Sequence, residues 1–194
     1  MNAVDESVIA PLRCRMKELV RISLFGLGGG IQFKAAPSTL FRGQFCNGVD
    51  ESKKPMSVIF LTPSITEAKK YARNPPRTIK KLSVPPQTDW RFVDLCDDRT
   101  QESLRSLFAE SGLSLAAWFG MFLARKTASQ RGIERDFFDL CWPVLFQFGI
   151  RGFYRKTQSS SIQDNEAEEY DLYRHWLDEV DYATIDPAIV NGLQ

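Results

Sequence analysis

Cysteine and histidine are scarce in this chain of 194 residues, which contains four cysteines and a single histidine, His175. No two of the cysteines form a C-x-x-C pair, and this spacing argues against a zinc site and against a small disulfide-bonded scaffold. We therefore expect no metal site. We also expect free, mostly buried thiols in a reducing compartment, which favours a cytoplasmic protein. The cysteines are Cys14, Cys46, Cys96 and Cys141.

Long apolar runs and a surplus of one charge are missing as well. The apolar and aromatic stretch 113–124 is about a dozen residues long, well short of a transmembrane helix, so it predicts a buried helix and no membrane partner. Residues 1–7 are acidic and lack the cationic start of a secretory signal. Basic residues number 25 and acidic residues 24, which leaves a net charge of +1. This balance does not indicate a polyanion such as duplex DNA as a bulk partner.

The composition is that of an ordinary globular protein, with 43% hydrophobic and 25% charged residues. The length suits one domain with a sizeable core. Because neither an internal repeat nor a strong linker is visible, we predict a single domain over residues 1–194. Within it, residues 1–30 are predicted to form an N-terminal helix and a glycine-rich linker, and residues 100–147 a helical insertion.

The glycine cluster at 26–30 follows a segment, 5–23, whose apolar spacing predicts an amphipathic helix. Glycine is a common helix terminator, so we interpret the cluster as the end of that helix and a linker. A phosphate-binding loop is the alternative interpretation. It is less favoured because the dinucleotide fingerprint needs a preceding strand and a following helix, and here a helix precedes and a strand-like run follows.

Two further segments have helical spacing. Residues 63–72 predict a short helix, in which Ser64 and Glu67 have the spacing of a capping box. Residues 100–147 carry aromatic and aliphatic stripes that we interpret as core, with an interruption at Pro143.

Short runs rich in β-branched and aromatic residues, bounded by Pro, Gly, Asn or Asp, predict β-strands. Residues 157–165, with three consecutive serines, are predicted to be a polar loop. Strands and helices in this mixed order predict an α+β fold. The predicted strands are 38–43, 57–62, 78–84, 90–95, 149–154 and 169–174.

Three short motifs follow one another along the chain: Leu40-Phe41-Arg42-Gly43, then Phe60-Leu61-Thr62-Pro63-Ser64 with Glu67-Ala68-Lys69-Lys70-Tyr71-Ala72, then Glu168-Glu169-Tyr170-Asp171-Leu172-Tyr173. Taken in their order and spacing, they resemble the ADP-ribosyltransferase superfamily, in particular the members that use an Arg, Ser/Thr and Glu trio. The resemblance covers roughly residues 38–175. It implies a split β-sheet core and the transfer of ADP-ribose from NAD to a protein, nucleic-acid or small-molecule acceptor.

The resemblance implies that Arg42 holds the NAD phosphate or the adjoining ribose, and the rigid donor fork of a guanidinium suits phosphate oxygens. It also implies that Thr62 or Ser64 supplies a hydroxyl beside the nicotinamide ribose, and that Gly43 and Tyr71 line the same site. An arginine at a strand end that is solvated or ion-paired, and hydroxyls that only cap a helix, are the alternatives.

The third member of the trio is a carboxylate. Cleavage of the nicotinamide–ribose bond builds positive charge on the sugar, and a nearby carboxylate stabilises that charge. Glu169 is our first choice, which makes the predicted catalytic set Glu169, Arg42 and Ser64. Glu168 points to the opposite face of a strand and is the second choice, and Glu166 is the third. A solvated acidic loop is the alternative for all three.

Two other functions remain open. An enzyme of the same fold is also able to hydrolyse or phosphorolyse NAD without a macromolecular acceptor. A non-catalytic interaction module is the other alternative, in which the apolar run 118–122 faces a partner instead of the core.

Overall fold

The computed structural model describes residues 6–26, 28, 30–43, 58–72, 78–109, 131–158, 166–179 and 181–185. Its helices are α1 (Glu6–Phe25), α2 (Ile65–Tyr71), α3 (Asp98–Ala109), α4 (Arg131–Gln147) and a 3₁₀ helix (Arg174–Glu179). Its strands are β1 (Phe33–Ala35), β2 (Thr39–Gly43), β3 (Val58–Leu61), β4 (Ile79–Ser83), β5 (Arg91–Asp94), β6 (Ile150–Gln158), β7 (Glu166–Tyr173) and β8 (Asp181–Thr184).

Five strands form the larger sheet, in the order β1-β5-β6-β7-β3. Its neighbours are antiparallel except for β5 and β6. Helix α4 packs on one face of this sheet, because the rings of Phe137 and Phe138 contact Phe153 of β6. The Tyr173 hydroxyl of β7 also donates to the Phe138 carbonyl at 2.6 Å. Helices α1 and α3 contact each other, and α1 contacts α4.

Three strands form the smaller sheet, in the antiparallel order β2-β4-β8. One of its faces packs on α2, where Ala68, Ala72 and Ile79 form a small buried cluster. Gly43 is needed here, since a Cβ at this position would overlap the Ala68 carbonyl oxygen. On the opposite face, Leu40 joins the main core, which is shared with the larger sheet.

The predicted α+β class is confirmed, and so are most of the predicted elements. The Ser64 hydroxyl caps α2 by accepting a hydrogen bond from the Glu67 amide at 3.2 Å. The likeness to the ADP-ribosyltransferase core stays a prediction, as does the single-domain organisation. The predicted buried helix at 113–124 lies outside the described residues. Among the described residues, no helix combines the length and the apolarity needed to cross a membrane.

Three expectations from the sequence are wrong in detail, and two strands were missed. Strand β6 continues through Gln158, so the predicted polar loop does not begin at residue 157. Strand β7 begins at Glu166 instead of residue 169, because β6 extends far enough to pair with its acidic start. Pro143 lies within α4 and does not end it. Strands β1 and β8 were not predicted.

The expectation of mostly buried thiols is also wrong for the described cysteines. Cys14 and Cys96 are free and exposed, and only Cys141 is free and buried. Burial raises the pKa of the Cys141 thiol. Cys46 lies outside the described residues.

Candidate active site

The two sheets meet where the middle of β2 pairs with the residue that follows β3. The Phe41 amide donates to the Thr62 carbonyl at 2.7 Å, and the Thr62 amide donates to the Phe41 carbonyl at 2.9 Å. This two-way bridge is antiparallel and isolated. Arg42 follows Phe41 directly, so the first two predicted motifs lie side by side.

Strand β7 brings the third motif to the same place. Its antiparallel register with β3 ends at the pair Leu61 and Tyr170. If this register is continued by one residue, Thr62, which follows Leu61, lies beside Glu169, which precedes Tyr170. The structure therefore gathers the three motifs, which are far apart in the sequence, at one edge of the larger sheet.

The register also tells which side chains share a side. Directly opposed residues of an antiparallel pair point to the same side, and successive residues of a strand alternate. Because Phe41 and Thr62 are opposed, their neighbours Arg42 and Leu61 share the other side. Leu61 is opposed to Tyr170, so Glu168 lies on this side as well. We call the side with Arg42, Leu61, Tyr170 and Glu168 the inner side.

The opposite side of the sheet carries Glu169 and faces the helices. We call it the helical side, because Tyr173, on the same side of β7 as Glu169, binds the main chain of α4. Of the predicted site residues on these strands, Arg42 is thus on the inner side, whereas Thr62 and Glu169 are on the helical side.

Glu169 is held in a buried ion cluster. Its Oε1 accepts a hydrogen bond from Arg155 Nε at 2.6 Å, and the same nitrogen lies 3.3 Å from Asp171 Oδ2. The Arg155 guanidinium also lies over the Phe60 ring, 5.4 Å from its centroid. Glu169 is 9% exposed and Asp171 is fully buried. We call Arg155, Glu169 and Asp171 the Arg155 cluster.

Glu168, by contrast, is half-buried and accepts a hydrogen bond on the inner side. The donor is the Tyr154 hydroxyl, at 2.7 Å from Oε1. Burial, and then the Glu168 carboxylate, raise the pKa of Tyr154. Glu166, the third candidate, is exposed and forms a 3.1 Å ion pair with Lys156.

Both candidate hydroxyls accept main-chain hydrogen bonds at the start of α2. The Ser64 amide donates to Thr62 Oγ1 at 3.2 Å, and the Glu67 amide donates to Ser64 Oγ at the same distance. The capping alternative is therefore confirmed for Ser64, whereas Thr62 holds the turn that precedes the helix.

Arg42 is half-buried and lies directly opposite Lys80 of β4, so both cations are on the inner side of the smaller sheet. Two opposed cations repel each other. An anionic ligand between them would relieve that repulsion, so the pair is suited to bind one. The Lys80 ammonium donates to the Thr184 hydroxyl of β8. Tyr71, at the end of α2, is 50% exposed.

Sequence analysis did not single out Tyr154, Arg155 or Lys80. Their contacts cross from one strand to another, and a signal would have required the register between those strands. The adjacent cations Arg155 and Lys156 are the one local sign, because they are matched by the acidic residues of β7.

Comparisons of the chain with protein-family models, with curated proteins and with solved structures found no match in any of the three. A functional assignment therefore depends on the motifs and on the geometry of this junction.

Proposed function

We propose that this protein is an NAD-dependent ADP-ribosyltransferase that acts at the junction of the two sheets. In the reaction, the bond between the ribose C1′ and the nicotinamide nitrogen breaks, and its electron pair leaves with nicotinamide. A nucleophilic oxygen, nitrogen or sulfur of the acceptor then bonds to C1′ and releases its proton to solvent. The acceptor is a protein, a nucleic acid or a small molecule.

The observation that carries this proposal is the common side of Arg42 and Glu168. Arg42 provides a donor fork for the pyrophosphate, with Lys80 opposite it as a second cation. Glu168, at the start of β7, provides a negative charge for the sugar as it becomes cationic. Glu169, the other candidate carboxylate, already balances the Arg155 charge on the helical side.

The test uses two samples of NAD, one labelled in nicotinamide and the other in the adenylate. We expect release of nicotinamide and transfer of the adenylate label to an acceptor or to the protein itself. Arg42→Ala should lower nicotinamide release about 10- to 100-fold, the value of a charge-assisted hydrogen bond in a binding site. Arg91→Ala is the control, because Arg91 is an exposed strand arginine of the larger sheet whose partner is Asp89.

The same experiment separates the alternatives. Free labelled ADP-ribose, with no labelled acceptor, would indicate an NAD hydrolase. The main-chain hydrogen bonds that Thr62 and Ser64 accept favour a second candidate, a non-catalytic NAD-binding protein. The result that would indicate such a protein is NAD binding without release of nicotinamide. A folded protein that neither binds nor cleaves NAD would contradict the proposed function.

A further inference from the structure

One short polar contact on the inner side is the hydrogen bond between Tyr154 of β6 and Glu168 of β7. In the antiparallel register, Tyr154 is opposed to Tyr170 and Lys156 is opposed to Glu168, so Tyr154 and Glu168 are diagonal neighbours. A tyrosine is long enough to span such a diagonal. The 2.7 Å distance is typical of a hydroxyl that donates to a carboxylate.

Tyr154 is itself fixed on several sides. It is 2% exposed, and its ring lies 5.0 Å from the Tyr170 ring at an interplanar angle of 53°. The Lys34 ammonium of β1 lies 5.0 Å from the ring centroid. The Tyr154 carbonyl accepts a hydrogen bond from the Leu95 amide at 2.9 Å. Packing therefore fixes the position of the Tyr154 hydroxyl, and the hydrogen bond to Glu168 costs Tyr154 little further conformational entropy.

The hydrogen bond uses one of the two carboxylate oxygens. Glu168 Oε1 receives the Tyr154 proton, and a carboxylate has a second oxygen with its own acceptor capacity. A carboxylate oriented in this way is suited to accept a ribose hydroxyl, because an unheld glutamate side chain would lose rotamer freedom on binding the sugar.

We propose that Tyr154 is the positioning residue of Glu168: its hydroxyl holds Oε1 and leaves Oε2 for the ribose 2′-hydroxyl of NAD. This inference rests on the proposed function and adds to it a residue that does not touch the substrate. It also divides two adjacent glutamates between two roles, since Glu168 acts on the ligand and Glu169 belongs to the Arg155 cluster.

The test is a double-mutant cycle on the full chain, read as nicotinamide release from NAD. Tyr154→Phe keeps the ring and removes the hydroxyl. We expect it to lower kcat about tenfold, the value of a hydrogen bond to a charged group, with KM for NAD nearly unchanged. In a Glu168→Gln background, the same substitution should have little further effect, because Tyr154 acts through the carboxylate.

Tyr173→Phe is the matched control. It removes the hydroxyl of a fully buried tyrosine of β7 on the helical side, where it donates to the Phe138 carbonyl, and we expect kcat to stay close to that of the unaltered chain. Glu168→Asp is the second variant, because it keeps the charge and withdraws it from the Tyr154 hydroxyl. It should also lower kcat, and it applies even where Tyr154→Phe does not fold.

The outcomes are distinct. An active chain in which Tyr154→Phe has unchanged kcat overturns the role of Tyr154 alone. An equal loss from Tyr154→Phe in the presence and in the absence of Glu168 also overturns it, because a purely structural role predicts that result. A folded chain that releases no nicotinamide overturns the proposed function, and the positioning role with it.

Discussion

At the scale of single residues, the junction depends on two adjacent glutamates with different surroundings. Strand alternation sends Glu168 to the inner side and Glu169 to the helical side. Glu169 then meets Arg155, and both lie near the fully buried Asp171. The Arg155 guanidinium and the two buried carboxylates stabilise one another, since an unpaired buried charge is costly. The two adjacent glutamates of β7 thus have different roles: Glu168 belongs to the inner side, and Glu169 balances the charge of Arg155.

This reasoning predicts a large stability effect for Arg155→Met. The substitution leaves the buried Glu169 and Asp171 without their cation, and we expect the free energy of unfolding to fall by about 3–5 kcal/mol. The matched control is Lys156→Met on the same strand. Its ion pair with Glu166 is exposed and screened by solvent, so its loss should leave the free energy of unfolding nearly unchanged.

Denaturant unfolding of both variants measures the difference. Combining Arg155→Met with Glu169→Gln and Asp171→Asn should recover part of the lost stability, because the uncompensated charges are then gone. Equal losses for Arg155→Met and Lys156→Met would contradict a structural role for the Arg155 cluster.

At the scale of elements, the sequence predicted the longer helices and the central strands, and it missed the edges. Strand β1 has three residues, Phe33–Ala35, which is too short for any periodic signal. Strand β8, Asp181–Thr184, is defined by its pairing with β4. The acidic start of β7 resembled a loop because a run of glutamates disfavours a strand. Tyr154, Arg155 and Lys156 of β6 compensate those charges, and such compensation is visible only after the register is known.

Strand β4 provides a prediction about NAD binding from two adjacent lysines. Lys80 is on the inner side, opposed to Arg42, whereas Lys81 is opposed to Phe41 and is exposed. Lys80→Gln should weaken NAD binding about 5- to 20-fold, as expected for the loss of a charged contact to a phosphate. Lys81→Gln should leave it nearly unchanged.

Isothermal titration of both variants with NAD and with nicotinamide mononucleotide makes this test specific. The pyrophosphate is absent from the mononucleotide, so the difference between the two lysine variants should shrink with that ligand. The same weakening from Lys80→Gln and Lys81→Gln would instead indicate a general effect of surface charge.

At the scale of the whole molecule, the sequence predicted that three distant motifs meet, and the structure gathers them at one junction. It did not predict which carboxylate shares a side with Arg42. That assignment depends on a single bridge, between Phe41 and Thr62, and on the register that follows from Leu61 and Tyr170. A shift of one residue in either pairing would exchange the inner and helical sides, so sequence spacing alone cannot specify the assignment.

The main core contains three buried tyrosine hydroxyls and a buried cysteine thiol, and the ionisation of these groups predicts how the molecule responds to alkali. Burial is the first cause that raises the pKa of Tyr154, Tyr170 and Tyr173, and it raises the pKa of Cys141 in the same way. In the unfolded chain, by contrast, a tyrosine ionises near pH 10.

The sign of the effect follows from these directions. Below about pH 10 the tyrosines are neutral in both states, and their contribution to stability is fully present. Above that pH the unfolded chain loses protons while the folded chain retains them. The free energy of unfolding should therefore fall by about 1.4 kcal/mol per pH unit for each buried tyrosine.

The measurement is denaturant unfolding at a series of alkaline pH values, with tyrosinate absorbance and circular dichroism followed together. We expect the buried tyrosines to ionise at the same pH at which the fold is lost. Tyr173→Phe removes one of these groups, so above about pH 10 its stability should fall less steeply than that of the unaltered chain, and below that pH the two should run in parallel. Tyrosinate absorbance that rises fully while the folded circular dichroism persists would show that water and hydroxide reach the main core.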